Sequence, residues 1–259
     1  MNLWDIFFTT QATEPPKFDL FWYVSIFTLL ALTFYTAYRY REKKAYQRFF
    51  QILQAVQLIL LYGWYGVNHM PLSESLPFYH CRMAMFVVLL LPGQSKYRQY
   101  FALLGTFGTL AAFVYPVPDP YPFPHIAILS FIFGHLALLG NSLVYLLRQY
   151  DARMLDVKRI FLMTFALNAL IFVVVLCVAA VFAKFPINGK LGIQFFLLTI
   201  MGIYFSVIGF VLGVRLDAKL IDTVGFPVII LAALTIIPFA SFGAESGFIS
   251  LVAKVQRIF

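Results

Sequence analysis

The chain is built mainly from long apolar runs that are separated by short polar connections. About 20 mainly apolar residues are enough for a helix to cross the hydrocarbon core of a bilayer, and a helix satisfies its own backbone hydrogen bonds there. The sequence therefore predicts an all-α, polytopic transmembrane helical bundle with seven or eight spanning helices. The eight predicted spans, of which the third and eighth are short, are Phe18 to Tyr40, Phe49 to Val67, Leu76 to Leu91, Tyr97 to Tyr115, Pro122 to Leu147, Lys158 to Ala183, Leu191 to Val214 and Gly225 to Phe242.

The composition excludes several classes of protein. Of the 259 residues 62% are apolar and 12% are charged, whereas a soluble domain is usually about half apolar and a quarter charged. A soluble enzyme, a disordered chain and a nucleic-acid binder are therefore excluded, although the formal net charge is +8. We predict an interfacial N-terminal segment over residues 1–17, the bundle over 18–242 and a tail over 243–259.

The basic residues predict the orientation of the bundle. Most of the 19 Lys and Arg residues fall in alternate connections, and cytoplasmic loops collect such residues, so the N-terminus is predicted to lie outside. An eighth crossing would place Lys254 and Arg257 of the tail outside, contrary to the preference of basic residues for the cytoplasmic side. This conflict is resolved if the tail is an interfacial helix or if the eighth span is re-entrant. The basic connections hold Arg39, Arg41, Lys43, Lys44, Arg48, Lys96, Arg98, Arg148, Arg153, Lys158, Arg159, Arg215 and Lys219.

This topology places the four histidines, His69, His80, His125 and His135, on or near the outer side. Ionisable groups in a spanning segment are costly and usually face a cavity or a partner. The ten residues between His125 and His135 correspond to about 15 Å of helix, so the two rings could line one cavity at two depths. A histidine near the interface can also be a simple hydrogen-bonding anchor.

The third span begins with an imidazole, a thiol and a guanidinium at successive positions, His80, Cys81 and Arg82. A nearby Arg82 would favour the Cys81 thiolate, and a histidine across the bundle could act as the base that activates the thiol. The alternative is that Cys81, like Cys177, is a small buried hydrophobic residue. The predicted catalytic residues are Cys81, His80, His125 and His135, and the predicted substrate-binding residues are Arg82, Tyr79, Glu74 and His69.

No metal and no cofactor are predicted. The sequence contains neither a His-x-x-x-His nor a Cys-x-x-Cys spacing, and it lacks a phosphate-binding Gly-rich loop and a Gly-x-Ser-x-Gly elbow. Interhelical hydrogen bonds are the expected role of Gln54, Gln57, Asn141 and Asn168. The proline-rich loop from Pro116 to Pro124 could form a lid over an outer cavity or a rigid connector.

Two motifs suggest a family. The segment Leu76-Pro77-Phe78-Tyr79-His80-Cys81-Arg82, combined with Tyr121-Pro122-Phe123-Pro124-His125 and the later His135, resembles the YwaF-type integral membrane proteins of bacteria. The segment that starts at Leu220-Ile-Asp-Thr-Val-Gly225-Phe-Pro227 is similar to the entry of that family's last helix. The resemblance implies the bacterial plasma membrane. Eukaryotic relatives are phospholipid acyltransferases with an intramembrane Cys and His, which implies that Cys81 accepts the acyl group and that a histidine assists it.

The first functional hypothesis is a lipid acyltransferase or transacylase at the outer leaflet, with Cys81 as nucleophile, His125 or His135 as base, and His80 and Arg82 orienting groups or stabilising charge. The alternatives are a non-catalytic bundle that binds or transports a lipid or small solute, and a structural partner of an envelope complex. Membrane lipids are the expected partners, with a homo-oligomer or an envelope protein as further possibilities. Nucleic acid is not expected.

Overall fold

The structure is a computed structural model that describes residues 3–14, 16–70, 75–77, 79–151 and 153–182. Within these residues it contains seven helices and no strand, so the all-α prediction is confirmed for this part of the chain. The helices are α1 (Leu3–Phe7), α2 (Leu20–Tyr40), α3 (Lys44–Val67), α4 (His80–Leu90), α5 (Lys96–Val114), α6 (Ile126–Gln149) and α7 (Val157–Phe182).

Six predicted spans correspond to helices α2 to α7, whereas the last two spans and the tail over 243–259 lie outside the described residues. Three of the described helices, α2, α3 and α6, are long and apolar enough to cross a membrane, and α4 is a shorter apolar helix. The protein is therefore a helical membrane protein.

The helix starts follow local capping and proline chemistry. The Asp19 carboxylate accepts a hydrogen bond from the Trp22 backbone N–H at 2.9 Å, which explains why α2 begins at Leu20. Helix α4 begins at His80 rather than at Leu76, because a residue that precedes a proline, here Pro77, disfavours the helical conformation.

The chain divides into two compact units, of which the first comprises Met1–Met70 and His80–Asp151 and contains α1 to α6. Within this unit α6 is the central helix, because it packs against α2, α3, α4 and α5. The second unit contains α7 among the described residues. Helix α7 begins after Asp156, whose carboxylate accepts a hydrogen bond from the Arg159 backbone N–H at 2.7 Å.

The four polar residues predicted to join helices differ in their contacts. The Gln57 side-chain oxygen accepts from the Ser130 hydroxyl at 2.6 Å, and the Asn141 amide donates to the Phe50 carbonyl at 3.1 Å, so both bonds join α3 to α6 as predicted. Asn168 instead donates to the Thr164 carbonyl of its own helix at 2.9 Å. The buried side-chain amide of Gln54 has no hydrogen-bond partner in the structure.

Candidate functional site

Cys81 is the second residue of α4, and its thiol faces α5 at Gly108. A Cβ atom placed on Gly108 would lie 3.3 Å from the Cys81 sulfur, which is tighter than most contacts of a real Cβ. The glycine therefore provides the space that the thiol occupies.

His135 lies within α6, and its ring is held in one orientation. The ring nitrogen Nδ1 lies 2.7 Å from the Phe131 carbonyl oxygen, and because a carbonyl can only accept, Nδ1 carries the proton. In the neutral ring Nε2 then has the lone pair. The ring also packs edge-on against Phe113 of α5, with 5.7 Å between ring centroids.

Cys81 and His135 both contact the same short stretch of α5. The thiol lies against Gly108, the backbone carbonyl of His135 accepts from the Thr109 hydroxyl at 3.2 Å, and the imidazole packs against Phe113. We call these five residues the thiol–imidazole site. The thiol and the imidazole thus lie against residues that are five positions apart on α5.

Gln57 lies beside this site and joins three helices. Its oxygen accepts from Ser130, its amide nitrogen lies 3.7 Å from the Met85 sulfur, and it lies close to Gly134. Met85 is one turn after Cys81, and Gly134 precedes His135. Gln57 therefore connects α3 to α6, as predicted, and also to α4 through its contact with Met85.

Arg82 points to a second group of side chains, which we call the arginine cluster: Arg82, Tyr62, Tyr65 and Asp119. The guanidinium donates to the Tyr65 hydroxyl at 2.7 Å and lies 4.0 Å from the Asp119 carboxylate. Arg82 directly follows Cys81 in α4, so the arginine cluster adjoins the thiol–imidazole site along the chain.

Asp119 belongs to the proline-rich loop and is not among the site residues predicted from the sequence. Burial raises the pKa of the Asp119 carboxyl above its ordinary value, while the Arg82 cation opposes this increase. An acidic residue among five prolines was the available signal in the sequence. Its partner could not be identified, because Arg82 is distant in sequence and meets Asp119 only in the folded chain.

His125 has a different environment from His135. It precedes the first residue of α6, where Nδ1 accepts a hydrogen bond from the Ala127 backbone N–H at 3.1 Å. Its Nε2 lies 3.0 Å from the Thr9 carbonyl and donates to it, and the ring stacks on Tyr121 with 4.1 Å between centroids. Both nitrogens are engaged, so in this structure His125 is a fully buried helix cap.

The N-terminal segment is fastened at this end of the first unit by three hydrogen bonds. The Phe8 carbonyl accepts from the Trp64 indole at 3.2 Å, the Thr9 carbonyl accepts from His125, and the Thr13 backbone N–H donates to the Pro120 carbonyl at 2.7 Å. This end of the unit also holds the arginine cluster. We call it the site end.

The remaining predicted site residues are less closely associated with the thiol. His69 is exposed, follows α3 and has a positive φ of 49°, a conformation in which histidine is enriched among non-glycine residues. His80 is the half-buried first residue of α4, and Tyr79 is 43% exposed. Glu74 lies outside the described residues.

The opposite end of the first unit is basic. Arg148, at the end of α6, lies 3.4 Å from Glu42 in the connection between α2 and α3, and it donates to Gln47 at 3.2 Å. Gln94, which precedes α5, donates to the Gln149 carbonyl at 3.2 Å. The structure therefore gathers three of the predicted basic connections at one end, away from the site end.

The described residues contain no group of three or more His, Cys, Asp or Glu side chains that could hold a metal ion. The chemistry available from them is that of a thiol, an imidazole and a guanidinium. Those groups suit nucleophilic attack, proton transfer and the binding of an anion.

Long apolar helices with a polar site at one end define a helical membrane protein with a candidate binding or catalytic centre. The sequence profile of the TMEM164 family matches residues 7–237, and the chain belongs to that family. Neither a curated protein nor a solved structure matches the chain.

Proposed function

We propose that the protein is a membrane-embedded lipid acyltransferase in which Cys81 is the nucleophile and His135 is the general base. The observation that carries this proposal is that both side chains contact α5, the thiol at Gly108 and the imidazole at Phe113, while the Thr109 hydroxyl between them holds the backbone carbonyl of His135. The resemblance to bacterial YwaF-type proteins and their eukaryotic acyltransferase relatives supports the same chemistry.

The hydrogen bonds favour His135 over His125 as the base. A general base needs a nitrogen with a lone pair that can take the thiol proton. His135 uses Nδ1 to donate to Phe131, which leaves the Nε2 lone pair for the thiol, whereas both nitrogens of His125 are engaged by the backbone. In this proposal His125 positions the start of α6 and is not a catalytic residue.

In the first half-reaction His135 takes the proton of the Cys81 thiol, and the sulfur attacks the carbonyl carbon of a lipid acyl ester. The ester C–O bond breaks, a thioester forms on Cys81, and the departing lipid oxygen receives the proton from His135. The products are an acylated enzyme and a lipid that has gained a hydroxyl group.

In the second half-reaction an acceptor hydroxyl gives its proton to His135 and attacks the thioester carbonyl. The C–S bond breaks, a new ester forms, and the proton returns to the Cys81 sulfur. The first half-reaction exchanges an acyl C–O bond for an acyl C–S bond, and the second reverses this exchange. Because no oxidation state changes, neither step needs a cofactor or an oxidant. The cation of Arg82 stabilises negative charge near the reacting ester.

We further propose that the bundle has seven or eight spanning helices in a bacterial plasma membrane, with the N-terminus and the site end outside. The basic connections gathered at the opposite end would then face the cytoplasm. Single cysteines at Val117 and Gln94, introduced into a variant that lacks Cys81 and Cys177, test the orientation. A membrane-impermeant maleimide should label position 117 and spare position 94 in intact cells, and the reverse pattern would contradict the orientation.

Intact-protein mass spectrometry of protein purified with native lipid tests the acyl transfer. We expect an adduct with the mass of a fatty acyl group that is removed by neutral hydroxylamine and is absent from Cys81→Ala. Cys177→Ala is the matched control and should keep the adduct.

The histidine variants complete the test. His135→Gln should slow formation of the adduct about 100-fold or more, within the range for loss of a general base. His125→Gln should mainly lower the melting temperature. A Cys81→Ala protein that supports full function in cells would exclude covalent acyl transfer and favour lipid or solute binding and transport.

A further inference from the structure

Arg98 lies in the first turn of α5 and is only 8% exposed. It is the only Arg, Lys, Asp or Glu residue that is buried in the part of the chain that the structure describes. No carboxylate in that part of the chain lies within ion-pair distance of its guanidinium. Because the loss of hydration is costly for a charged group, a buried cation without a counter-ion indicates a place where an anion binds.

The contacts of Arg98 hold the guanidinium in one orientation and leave one of its edges without partners. The guanidinium carbon lies 4.7 Å from the centroid of the Tyr145 ring, and Nη1 donates to the Gly93 carbonyl at 3.3 Å. The Nε atom is buried and has no hydrogen-bond partner. Nε and Nη2 form the edge through which an arginine binds two oxygens of one oxyanion by parallel hydrogen bonds.

Arg98 lies where the turn between α4 and α5 meets the end of α6. The Gln94 amide donates to the Gln149 carbonyl at 3.2 Å, and the Gln99 side chain exchanges two hydrogen bonds of 2.9 Å with the backbone of Asp151. These bonds lie on both sides of Arg98 in the sequence and join it to the same stretch of chain. The position of the guanidinium is therefore set by the fold.

Tyr150 follows the last residue of α6 at the same junction, and its hydroxyl oxygen is also buried without a hydrogen-bond partner. Burial, followed by the charge of Asp151, raises the pKa of the Tyr150 hydroxyl, so this group stays protonated and can donate. Buried polar atoms nearly always have a hydrogen-bond partner. Two donors that have none at one junction point to a ligand with acceptor oxygens.

We propose that Arg98 and Tyr150 bind a phosphate group at this end of the first unit, which we call the basic end. Two phosphate oxygens accept from Nε and Nη2 of Arg98, and a further lone pair accepts from the Tyr150 hydroxyl. The headgroup of a membrane lipid and free inorganic phosphate offer the same oxyanion, and the experiment below separates these two sources.

The phosphate site is distinct from the thiol–imidazole site and does not depend on acyl transfer. Gly108, against which the thiol lies, comes ten residues after Arg98, or about 15 Å along α5. The ester bonds of a lipid are only a few atoms from its phosphate, so a lipid held by Arg98 does not present them to Cys81. The bound phosphate instead neutralises Arg98 and stabilises the junction of the α4–α5 turn with the end of α6.

Thermal unfolding of the full-length protein, purified in detergent until no phospholipid remains, tests this inference. The probes are a short-chain phosphatidylglycerol, a diacylglycerol with the same chains, and inorganic phosphate at constant ionic strength. A ligand that binds only the folded state raises the melting temperature. At least one of the two phosphate-containing probes should raise the melting temperature of the wild-type protein, and the diacylglycerol should not.

Arg98→Met removes the charge and keeps an unbranched side chain that can pack on Tyr145. Without a probe it should melt at the same or a higher temperature than the wild type, because an uncompensated buried charge is removed. Its affinity for the phosphate probe should be about 10- to 100-fold weaker, the range for hydrogen bonds to a charged group. Arg48→Met, which changes an exposed arginine of α3 near the same end, is the matched control and should keep the full response.

Two conservative variants keep the test decisive if Arg98→Met folds poorly. Arg98→Lys retains the charge but cannot form two parallel hydrogen bonds, and Tyr150→Phe removes only the hydroxyl group. Each should weaken binding of the phosphate probe by about two- to tenfold, the range for one hydrogen bond. A purely structural role of Arg98 would lower the melting temperature of its variants equally with and without the probe.

The response to the probes decides the inference. A shift with phosphatidylglycerol alone that depends on Arg98 would support the site and assign it to a lipid headgroup. An Arg98-dependent shift with inorganic phosphate would also support the site and assign it to the free ion. Equal shifts in the wild type, Arg98→Met and Arg98→Lys, or no shift of the wild type with either phosphate-containing probe, would overturn phosphate binding at Arg98.

Discussion

Helices α2 and α6 are both apolar and both long enough to cross a bilayer, but they are buried to opposite degrees. Within the most apolar window of each helix, 22% of α2 and 78% of α6 is buried in the protein. Apolarity therefore explains why each segment enters a membrane and does not explain which one becomes the centre of the bundle. In lipid the hydrophobic effect does not favour the protein interior over the hydrocarbon, so van der Waals packing and interhelical hydrogen bonds decide which helix is central.

The difference lies in the small and polar residues of the two helices. Helix α6 has Gly134 and Gly140, which let neighbouring side chains approach its backbone, and Ser130 and Asn141 form hydrogen bonds to α3. The threonines of α2 donate to carbonyls of their own helix, as Thr28 does to Val24 at 2.7 Å, and Thr36 also shares a hydrogen bond with the Tyr46 hydroxyl of α3 at 2.8 Å. Helix α2 contains no glycine, and it presents aromatic and branched side chains outward.

The largest predicted effect is a difference in the free energy of unfolding when a leucine is truncated to alanine in each of the two helices. Leu138 of α6 is fully buried, whereas Leu32 of α2 is 53% exposed. Leu138→Ala should lower the free energy of unfolding by about 2–5 kcal/mol, because it leaves a cavity. Leu32→Ala should lower it by less than about 1 kcal/mol, because mobile lipid chains can fill the space beside an exposed position.

Thermal unfolding of both variants in the same detergent or in nanodiscs checks this comparison. A loss for Leu32→Ala as large as that for Leu138→Ala would show that protein, and not lipid, covers the outer face of α2. The contrast between the helices would then be wrong.

Helices α2 to α7 could be predicted from sequence because the long apolar runs determine them, and the starts of α2 and α4 follow from Asp19 and Pro77. Only the residue types of the candidate site could be predicted. Cys81, His125 and His135 stand out as a thiol and two imidazoles in apolar spans, but the sequence does not distinguish the two histidines. Their environments differ because Thr9, more than a hundred residues earlier, meets one of the rings, and such long-range contacts have no local signal.

The second prediction concerns the close approach of α3 to α6. A Cβ atom on Gly140 would meet the Phe50 ring at a distance that real contacts do not show, and that ring is also held by Tyr46, with 5.0 Å between centroids. Gly140→Ala should therefore lower the unfolding free energy by about 1–3 kcal/mol through overpacking. Gly63→Ala on α3 is the matched control, since nothing lies within 4 Å of its added methyl group. The control should be neutral or slightly stabilising, and equal losses for both glycines would contradict close packing at Gly140.

The smallest expected effect comes from the hydroxyl groups of the two helices. Ser130→Ala removes the 2.6 Å bond to Gln57 and leaves a buried amide oxygen unpaired, which should lower the unfolding free energy by about 0.6–1.7 kcal/mol. Thr28→Val on α2 removes a bond to its own helix and should change it by less than about 0.5 kcal/mol, because the carbonyl keeps its helical hydrogen bond. The double variant of Ser130→Ala and Gln57→Leu gives the sharper measurement, since it removes both partners and should recover part of the loss. If the double variant instead loses the sum of the two single losses, the Gln57–Ser130 bond does not couple α3 to α6, and close packing at the glycines is then the remaining reason why α6 is central.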